Sequence, residues 1–236
     1  MQEQHTRREF LKYSGTIVLL VGSGCALPAN KESNTIVAPV QSRSGIPVSD
    51  GYLIVDTRKC QGCASCMLAC SLVHEGVESL SLARIQIIQN SFAAYPDDVS
   101  VEQCRQCVDP ACVEACPADA LTADPKFGNV RIVDFEKCIG CGECVQACPF
   151  TPSRSQLAGM NTFGGDDKAL KCDLCSLTPF HWDDAGGGPE GKQACVDVCP
   201  VGAIAFTREI PIQAGDEGYK VNLRGSGWQK MGYPVG

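Results

Sequence analysis

Cysteine is the residue type whose number and spacing in this sequence could do chemistry. The chain has 236 residues and 17 cysteines, and sixteen of the cysteines fall into four groups of four with short internal gaps. Disulfide frameworks join residues from different elements, so their spacing is irregular. The regular quartets therefore predict four metal sites rather than a set of disulfides.

The first and third quartets share one spacing, in which two, two and three residues separate successive cysteines. They consist of Cys60, Cys63, Cys66 and Cys70, and of Cys138, Cys141, Cys144 and Cys148. Three cysteines spaced in this way wrap a tight loop around one iron–sulfur cube, and the fourth, one helical turn on, points towards a neighbouring cluster. The spacing predicts units that hold two clusters each.

The second and fourth quartets have the same design with a longer central gap. They consist of Cys104, Cys107, Cys112 and Cys116, and of Cys172, Cys175, Cys195 and Cys199. Their central gaps are four and nineteen residues, while the last gap is three residues in both and a proline follows. Zinc is the main alternative. A zinc ribbon uses two cysteine pairs separated by a longer loop, which does not account for the three-residue step.

The rest of the composition excludes other classes of protein. With 20 Lys+Arg against 27 Asp+Glu, the net charge of -7 argues against nucleic acid as a partner, because phosphate binding needs clustered basic residues. The mean hydropathy of -0.04 argues against an integral membrane protein. We find no catalytic triad, no paired carboxylates near a histidine and no phosphate loop. His74 and His181 are interpreted as capping or surface groups, and Trp182 is given no catalytic role.

Two internal repeats indicate the elements that position the cysteines. The segment Tyr52–Cys60 returns as Val130–Cys138, each a β-branched run that ends in Asp, two residues, Lys and Cys. The segments Cys116–Leu121 and Cys199–Ile204 form a second repeat. Together they predict a repeated unit of strand, cysteine loop, short helix and strand.

The first 30 residues predict an export signal. Arg7 and Arg8 precede a short apolar run, which is typical of the bacterial twin-arginine route for folded proteins. The alternative is the start of a basic amphipathic helix. Cys25 ends a run of small residues that resembles a lipoprotein cleavage box, so it is a candidate lipidation site. Ordinary cleavage nearby, an uncleaved anchor and an inert cysteine are the alternatives.

Four further segments have no cysteine motif of their own. Residues 31–50 are polar and without periodicity, which predicts a linker. Residues 151–170 and 176–194 interrupt the repeats and predict surface insertions. Residues 208–236 form a tail rich in glycine and polar residues, which predicts either a strap on its own domain or a segment that lies on a partner.

Three basic residues lie beside cysteines. Lys59 and Lys137 directly precede the first cysteine of their quartets, and Arg105 lies inside the second quartet. Positive charge at these positions would raise the reduction potential of a nearby cluster. The alternative is that they are ordinary solvated residues.

The order of the quartets resembles that of a known family, the four-cluster ferredoxin-type electron-transfer subunits of the molybdenum and tungsten bis-pterin oxidoreductases, or dimethyl sulfoxide reductase superfamily. The resemblance covers about residues 51–207 and rests on the short central gap of the second quartet and the long one of the fourth. Exported relatives with a similar twin-arginine leader include nitrite, polysulfide and thiosulfate reductase subunits.

The resemblance implies an α+β fold of tandem bacterial-ferredoxin-like halves with pseudo-twofold symmetry, loop insertions and an extended C-terminal tail. The outer half would comprise residues 51–100 and 166–207, and the inner half residues 101–165. Four [4Fe-4S] clusters would share ligands between quartets. The implied ligand sets are Cys60, Cys63, Cys66 with Cys199; Cys172, Cys175, Cys195 with Cys70; Cys104, Cys107, Cys112 with Cys148; and Cys138, Cys141, Cys144 with Cys116.

The function implied is that of a non-catalytic electron-transfer subunit of an exported oxidoreductase in anaerobic respiration. Its expected partners are a molybdopterin-type catalytic subunit, a quinone-linked membrane anchor or cytochrome, and the export machinery. The expected location is the periplasm or the outer face of the cytoplasmic membrane. The alternative is a freestanding multi-cluster ferredoxin or a redox maturation factor.

Overall fold

Short strands and short helices alternate with cysteine loops in the computed structural model, which describes residues 42–158, 167–181 and 186–230. The predicted export signal, with Arg7, Arg8 and Cys25, lies outside the described residues, as does Trp182. Within the described ranges no helix has the length and apolar character needed to cross a bilayer.

The strands of the described ranges are four residues long and pair antiparallel in twos. They are β1 (Tyr52–Val55), β2 (Gln86–Gln89), β3 (Val99–Glu102), β4 (Leu121–Asp124), β5 (Val130–Val133), β6 (Ser155–Ala158), β7 (Lys168–Lys171) and β8 (Ile204–Thr207). The pairs are β1 with β8, β2 with β3, β4 with β5, and β6 with β7.

One long helix and four short ones accompany the strands in the described residues. They are α1 (Ser65–Glu75), α2 (Ala111–Glu114), α3 (Glu143–Gln146), α4 (Ala194–Asp197) and α5 (Ser226–Lys230). Single 3-10 turns cover Leu80–Leu82, Pro125–Phe127 and Glu217–Tyr219. The mixture of separate helices and antiparallel strand pairs agrees with the predicted α+β class.

Two strand pairs bring sequence-distant quartets together. In the pair of β1 and β8, Tyr52 lies opposite Thr207 and Val55 opposite Ile204, so the first quartet lies beside the fourth. The pair of β4 and β5 likewise joins the segment after the second quartet to the segment before the third. Helix α1 packs on α4, and α2 packs on α3. The pseudo-twofold relation between these two arrangements stays a prediction.

The two predicted surface insertions are partly buried, so that prediction was wrong for their ends. Arg154, Ser155 and Leu170, on or next to β6 and β7, are buried because this strand pair packs against β5. In the second insertion Gly187 lies so close to the Cys175 carbonyl that a Cβ atom would stand 1.8 Å from that oxygen. Glycine is therefore required there for packing.

The predicted linker, residues 31–50, ends earlier than the sequence suggested. Ser49 is buried, and the backbone N–H of Asp50 donates to the carbonyl oxygen of Gly128 at 2.9 Å. The Pro47 carbonyl accepts from the Arg131 guanidinium at 2.9 Å. These contacts fix the last residues of the segment to the domain, which polarity alone did not reveal.

The described part of the tail is a strap on its own domain. The backbone N–H of Val221 donates to the Val55 carbonyl at 2.9 Å, and Arg224 forms a 3.1 Å ion pair with buried Asp56. The Tyr219 ring is buried, and its hydroxyl donates to the Arg105 carbonyl at 2.7 Å. Of the two alternatives for the tail, the strap holds for residues 208–230.

Candidate metal centres

The sixteen quartet cysteines are free of disulfides and lie in four groups, each built from two quartets. We name the groups in their spatial order. Site A is Cys60, Cys63, Cys66 and Cys199; site B is Cys70, Cys172, Cys175 and Cys195; site C is Cys104, Cys107, Cys112 and Cys148; and site D is Cys116, Cys138, Cys141 and Cys144. These are the sets that the resemblance implied, and their role as iron ligands stays a prediction.

Sites A, B and D each line a cavity. The empty space between the side chains is about 320 Å³ at site A, 280 Å³ at site B and 350 Å³ at site D, part of it open to solvent. The other lining residues are mainly apolar at sites A and D, and at site B they include His74, Arg84 and Gln193. Each cavity is lined by four cysteines, whose sulfur is the donor that iron–sulfur clusters use.

Site C is identified by the electrostatic interactions between its four thiols. Burial is the main cause that raises the pKa of Cys107, to about 12, and the charges of Cys104, Cys112 and Cys148 raise it further. Burial likewise raises the pKa of Cys112. Thiols that resist ionisation in this way need a bound cation or metal to be held as thiolates.

The cavities at sites A, B and D leave room for a group larger than one ion. A tetrahedral zinc site holds four sulfurs about 2.3 Å from the metal, so the sulfurs crowd together. The cysteines of these three sites surround open space, which fits a multi-atom cluster.

Backbone amides support the last cysteine of three quartets. The N–H of Arg84 donates to Cys70 Sγ at 3.3 Å, that of Arg154 to Cys148 Sγ at 3.2 Å, and that of Ala203 to Cys199 Sγ at 3.2 Å. Hydrogen bonds to sulfur stabilise the thiolate form and raise the potential of a cluster bound by it. The loop after each of these cysteines thus completes its site.

Short helices position the third cysteine of every quartet. Cys66, Cys112, Cys144 and Cys195 lie on α1, α2, α3 and α4 respectively, and all are buried. Helix α1 continues to Cys70, four residues after Cys66, so both point from one face. Cys66 belongs to site A and Cys70 to site B, and α1 therefore links these two sites.

The four sites follow one another in the order A, B, C, D. Beyond the helix α1 link, sites B and C meet where the side chain of Gln106 donates to the Cys172 carbonyl at 2.8 Å, and Cys104 and Cys172 share one core cluster. Sites C and D meet where Cys112 and Cys144 pack in a second core cluster. The geometry is a row with two ends.

The ends of the row are the accessible parts. Cys63 of site A and Cys141 of site D are the exposed cysteines of the described quartets, whereas all four cysteines of site B are buried. Beside site A lies the β2–β3 hairpin, whose tip carries the fully exposed Phe92. Beside site D, Ile139 is 67% exposed. Both ends therefore combine an accessible cysteine with apolar surface.

Site B is balanced by its own ion pairs. The Nε2 atom of His74 lies 2.9 Å from Asp173 Oδ1, and Arg84 Nη1 donates to Asp173 Oδ2 at 2.9 Å. Burial opposes the charge of His74, but its hydrogen bond to Asp173 raises the pKa of His74 to about 9. Arg84 also pairs with Glu75. Two cations thus meet two carboxylates.

Of the two interpretations of His74, the surface group was wrong, whereas the capping group agrees with its contact to a carbonyl of α1. Its side chain is buried on α1, and its Nδ1 atom lies 2.7 Å from the Cys70 carbonyl oxygen. The missing signal was Asp173, which lies 99 residues further along the chain, directly after the first cysteine of the fourth quartet. His181 is half-buried and lies outside the four sites.

Site C has two buried cations that no carboxylate balances. Lys171 is buried, its Nζ atom donates to Ser155 Oγ at 3.3 Å, and its strongest charge interactions are with Cys104 and Cys112. Arg131 is fully buried and donates to the Cys107 carbonyl at 2.7 Å and to two other carbonyls. Within the described residues neither pairs with Asp or Glu.

A second pair of cations near site C is balanced by the tail. Asp216 accepts from Arg105 Nη2 at 2.8 Å and from Arg154 Nη2 at 3.0 Å, and Arg154 also pairs with Glu102. The Phe150 ring lies against both guanidinium groups. Asp216 of the strap and Glu102 of β3 together neutralise the two arginines on one side of site C.

The basic residues singled out from the sequence occupy different environments. Lys59 donates to two carbonyls, those of Gly202 and Leu223. The side chain of Lys137 is 62% exposed and pairs with Asp134. Arg105 is buried and paired with Asp216, as described above. Lys171 also precedes the first cysteine of its quartet, so the same pattern could have found it.

Comparisons with known proteins identify the family. Two family models match, both described as a 4Fe-4S dicluster domain, over residues 52–117 and 98–209. The electron transport protein HydN of Escherichia coli K12 is 33% identical over 168 residues, covering 65% of this chain and 85% of HydN. The chain belongs to the 4Fe-4S dicluster family.

Two further relatives extend the match. The polyferredoxin-like subunit of an aliphatic sulfonate oxidoreductase from Pyrococcus furiosus is 36% identical over 148 residues, covering 63% of this chain and 70% of that subunit. The Hydrogenase-2 operon protein HybA of Escherichia coli O157:H7 is 34% identical over 230 residues. That match covers 86% of this chain and 63% of HybA.

Membership in the dicluster family confirms the interpretation of the quartets as iron–sulfur motifs of the ferredoxin type, carrying [4Fe-4S] clusters, over zinc and disulfides. The two matched domains agree with a tandem arrangement of ferredoxin-like units. The number of clusters, their individual ligands and the type of catalytic partner stay predictions.

Proposed function

We propose that this chain is the electron-transfer subunit of an oxidoreductase complex and carries four [4Fe-4S] clusters between two partner proteins. The observation that carries the proposal is the row of sites A to D, in which the cysteines of sites B and C are buried or half-buried and each end has an exposed cysteine. A row that opens to the surface at both ends suits one-electron transfer through the protein.

The chain's residues have distinct tasks in this role. When bound, [4Fe-4S] clusters supply one-electron storage and release. The cysteines of sites A to D hold them, and α1 keeps sites A and B at a fixed spacing. Buried apolar side chains such as Leu53, Ile85 and Leu174 exclude water from the middle of the row.

We place the partners at the two ends of the row. At site A the hairpin is held against the cysteine loop, since the side chain of Gln89 donates to the Gly62 carbonyl at 2.9 Å and Tyr95 Oη donates to the Arg58 carbonyl at 3.1 Å. At site D, Ile139 and Leu157 flank Cys141. Apolar surface of this kind, beside an accessible redox site, suits partner docking.

The finer proposal follows the resemblance of the quartets to the dimethyl sulfoxide reductase superfamily. One partner would be a molybdenum or tungsten bis-pterin catalytic subunit, and the other a quinone-linked membrane anchor or a cytochrome. The Pyrococcus relative, named as a subunit of an oxidoreductase, supports a redox complex in general. We further propose twin-arginine export through Arg7 and Arg8 to the outer face of the cytoplasmic membrane, with Cys25 as the candidate lipidation site.

The test is anaerobic purification of the full chain from its native cells, with mass spectrometry and metal analysis of the co-purifying proteins. We expect a large pterin-containing protein with molybdenum or tungsten in stoichiometric amount. Cell fractionation should place the complex outside the cytoplasm. An iron-loaded chain that purifies alone would contradict the complex and favour a freestanding ferredoxin or a maturation factor.

A further inference from the structure

The buried cations around sites B and C differ in whether they pair with carboxylates. This difference affects which cluster an electron prefers. Isolated charges are expensive to bury, so buried cations normally meet carboxylates. Arg84 at site B and Arg154 near site C obey this rule. Lys171 and Arg131 break it, and both lie against site C.

Lys171 is the closer of the two to the cysteine sulfurs. Lys171 is the last residue of β7 and is buried, and its Nζ atom donates to Ser155 Oγ at 3.3 Å. Its strongest charge interactions are with Cys104 and Cys112 of site C. Ala169, on the same strand, packs with Cys112 of site C and Cys144 of site D, so Lys171 lies near the place where these two sites meet.

We propose that Lys171 is the fixed counter-ion of the cluster at site C and makes that cluster the one with the highest reduction potential of the four. The proposal rests on the proposed function, since it assumes that the four sites hold [4Fe-4S] clusters. Arg131 assists through its contact with the Cys107 carbonyl. An electron that passes between the two ends of the row is then most stable at site C.

The physical reason is the change of charge on reduction. A [4Fe-4S] cluster with four thiolates goes from about -2 to about -3 when it takes up one electron, with no bond made or broken. A buried positive charge stabilises the reduced state more than the oxidised one, and low local polarity strengthens the effect. At site B, Asp173 and Glu75 together balance Arg84 and His74, which cancels the corresponding effect.

The test is a reductive EPR titration of the loaded, full-length protein and its Lys171→Gln variant. We expect the midpoint potential of the site C cluster to fall most and that of site D to fall less, with sites A and B unchanged. Lys171→Arg keeps the charge and should restore the midpoint of site C. Lys137→Gln is the matched control, because Lys137 also precedes the first cysteine of its quartet but is exposed, and it should shift nothing.

A second measurement does not depend on how well the Lys171 variants assemble. Cys107→Ser identifies which EPR signal belongs to the site C cluster, since serine alters the spectrum of the cluster that it ligates. In the protein that retains both Cys107 and Lys171, this signal should be the first to appear in the titration. A different signal appearing first, or four unchanged midpoints in fully loaded Lys171→Gln, would overturn the proposal. A chain that binds no iron would instead contradict the proposed function itself.

Discussion

Sites B and C lie next to each other in the middle of the row, yet their surroundings balance charge in different ways. At site B, Arg84 and His74 meet Asp173 inside the protein, with Glu75 as a second carboxylate. At site C, Lys171 donates to a hydroxyl group and Arg131 to carbonyl groups, and neither pairs with a carboxylate of the described residues. The charges around site B balance one another without a cluster, whereas the buried cations at site C require an anion.

The difference shows that the spacing of the cysteines and the charge around each site are set by different residues of the sequence. Lys171 and Asp173 flank the same cysteine, Cys172 of site B, but their side chains serve different sites. Strand β7 ends at Lys171, and Asp173 lies in the cysteine loop that follows, so the two side chains reach different sites. One three-residue segment thus charges site C and neutralises site B.

Asp173→Asn is expected to have the largest effect, and it tests the charge balance at site B. The substitution leaves Arg84 and His74 buried without their shared carboxylate, and breaking a buried pair costs about 3 to 5 kcal/mol. Urea denaturation of the loaded protein measures the loss of unfolding free energy. Glu75→Gln is the control, because Glu75 is 30% exposed and should contribute less than about 1 kcal/mol. Equal effects for the two variants would show that site B does not depend on internal neutralisation.

Arg131→Met is expected to have a smaller effect on stability and a specific one on site C. Three carbonyls lose a charged donor, for which we expect a loss of about 2 kcal/mol. Loss of the positive charge should also lower the midpoint potential of the site C cluster in an EPR titration, with site B unchanged. A shift of site B in place of site C would contradict the assignment of Arg131.

Asp216→Asn should act in the opposite direction on site C. The substitution removes the carboxylate that the tail offers to Arg105 and Arg154, so their positive charge is less compensated. We expect the midpoint potential of site C to rise and the unfolding free energy to fall by about 1 to 2 kcal/mol, since Asp216 is partly exposed. A fall in that midpoint would contradict the charge account.

Lys137→Gln is expected to have the smallest effect. It tests whether burial or sequence position controls the effect of a lysine beside a quartet. The lysine contacts Asp134 at the surface, where solvent screens charge. We expect no measurable change in melting temperature or in any of the four midpoint potentials. A shift at site D as large as the shift that Lys171→Gln causes at site C would show that sequence position, and not burial, controls the effect.

The sequence predicted the main features of the site because its signals are local. The step from Cys66 to Cys70 spans one helical turn, and α1 places both cysteines on one face. The runs before Cys60 and Cys138 became β1 and β5. Cysteine spacing alone did not give the association of the first quartet with the fourth, which came from the family resemblance.

The features that the sequence analysis missed depend on contacts between distant segments. The burial of Lys171 and Arg131 is set by how β7 and β5 pack, and nothing in their immediate neighbours predicts it. Hairpin β2–β3 was also missed, although Ile87, Ile88, Val99 and Val101 are the β-branched residues that favour strands. Asp216 joins the tail to Arg105, 111 residues earlier in the chain.

The most direct test of the account is the iron and acid-labile sulfide content of the anaerobically purified chain, read together with a reductive EPR titration of the same sample. The account predicts roughly sixteen iron atoms per chain, as many sulfide ions, and four one-electron centres of which site C is reduced first. Zinc in place of iron, or about half that iron content with two centres, would contradict it.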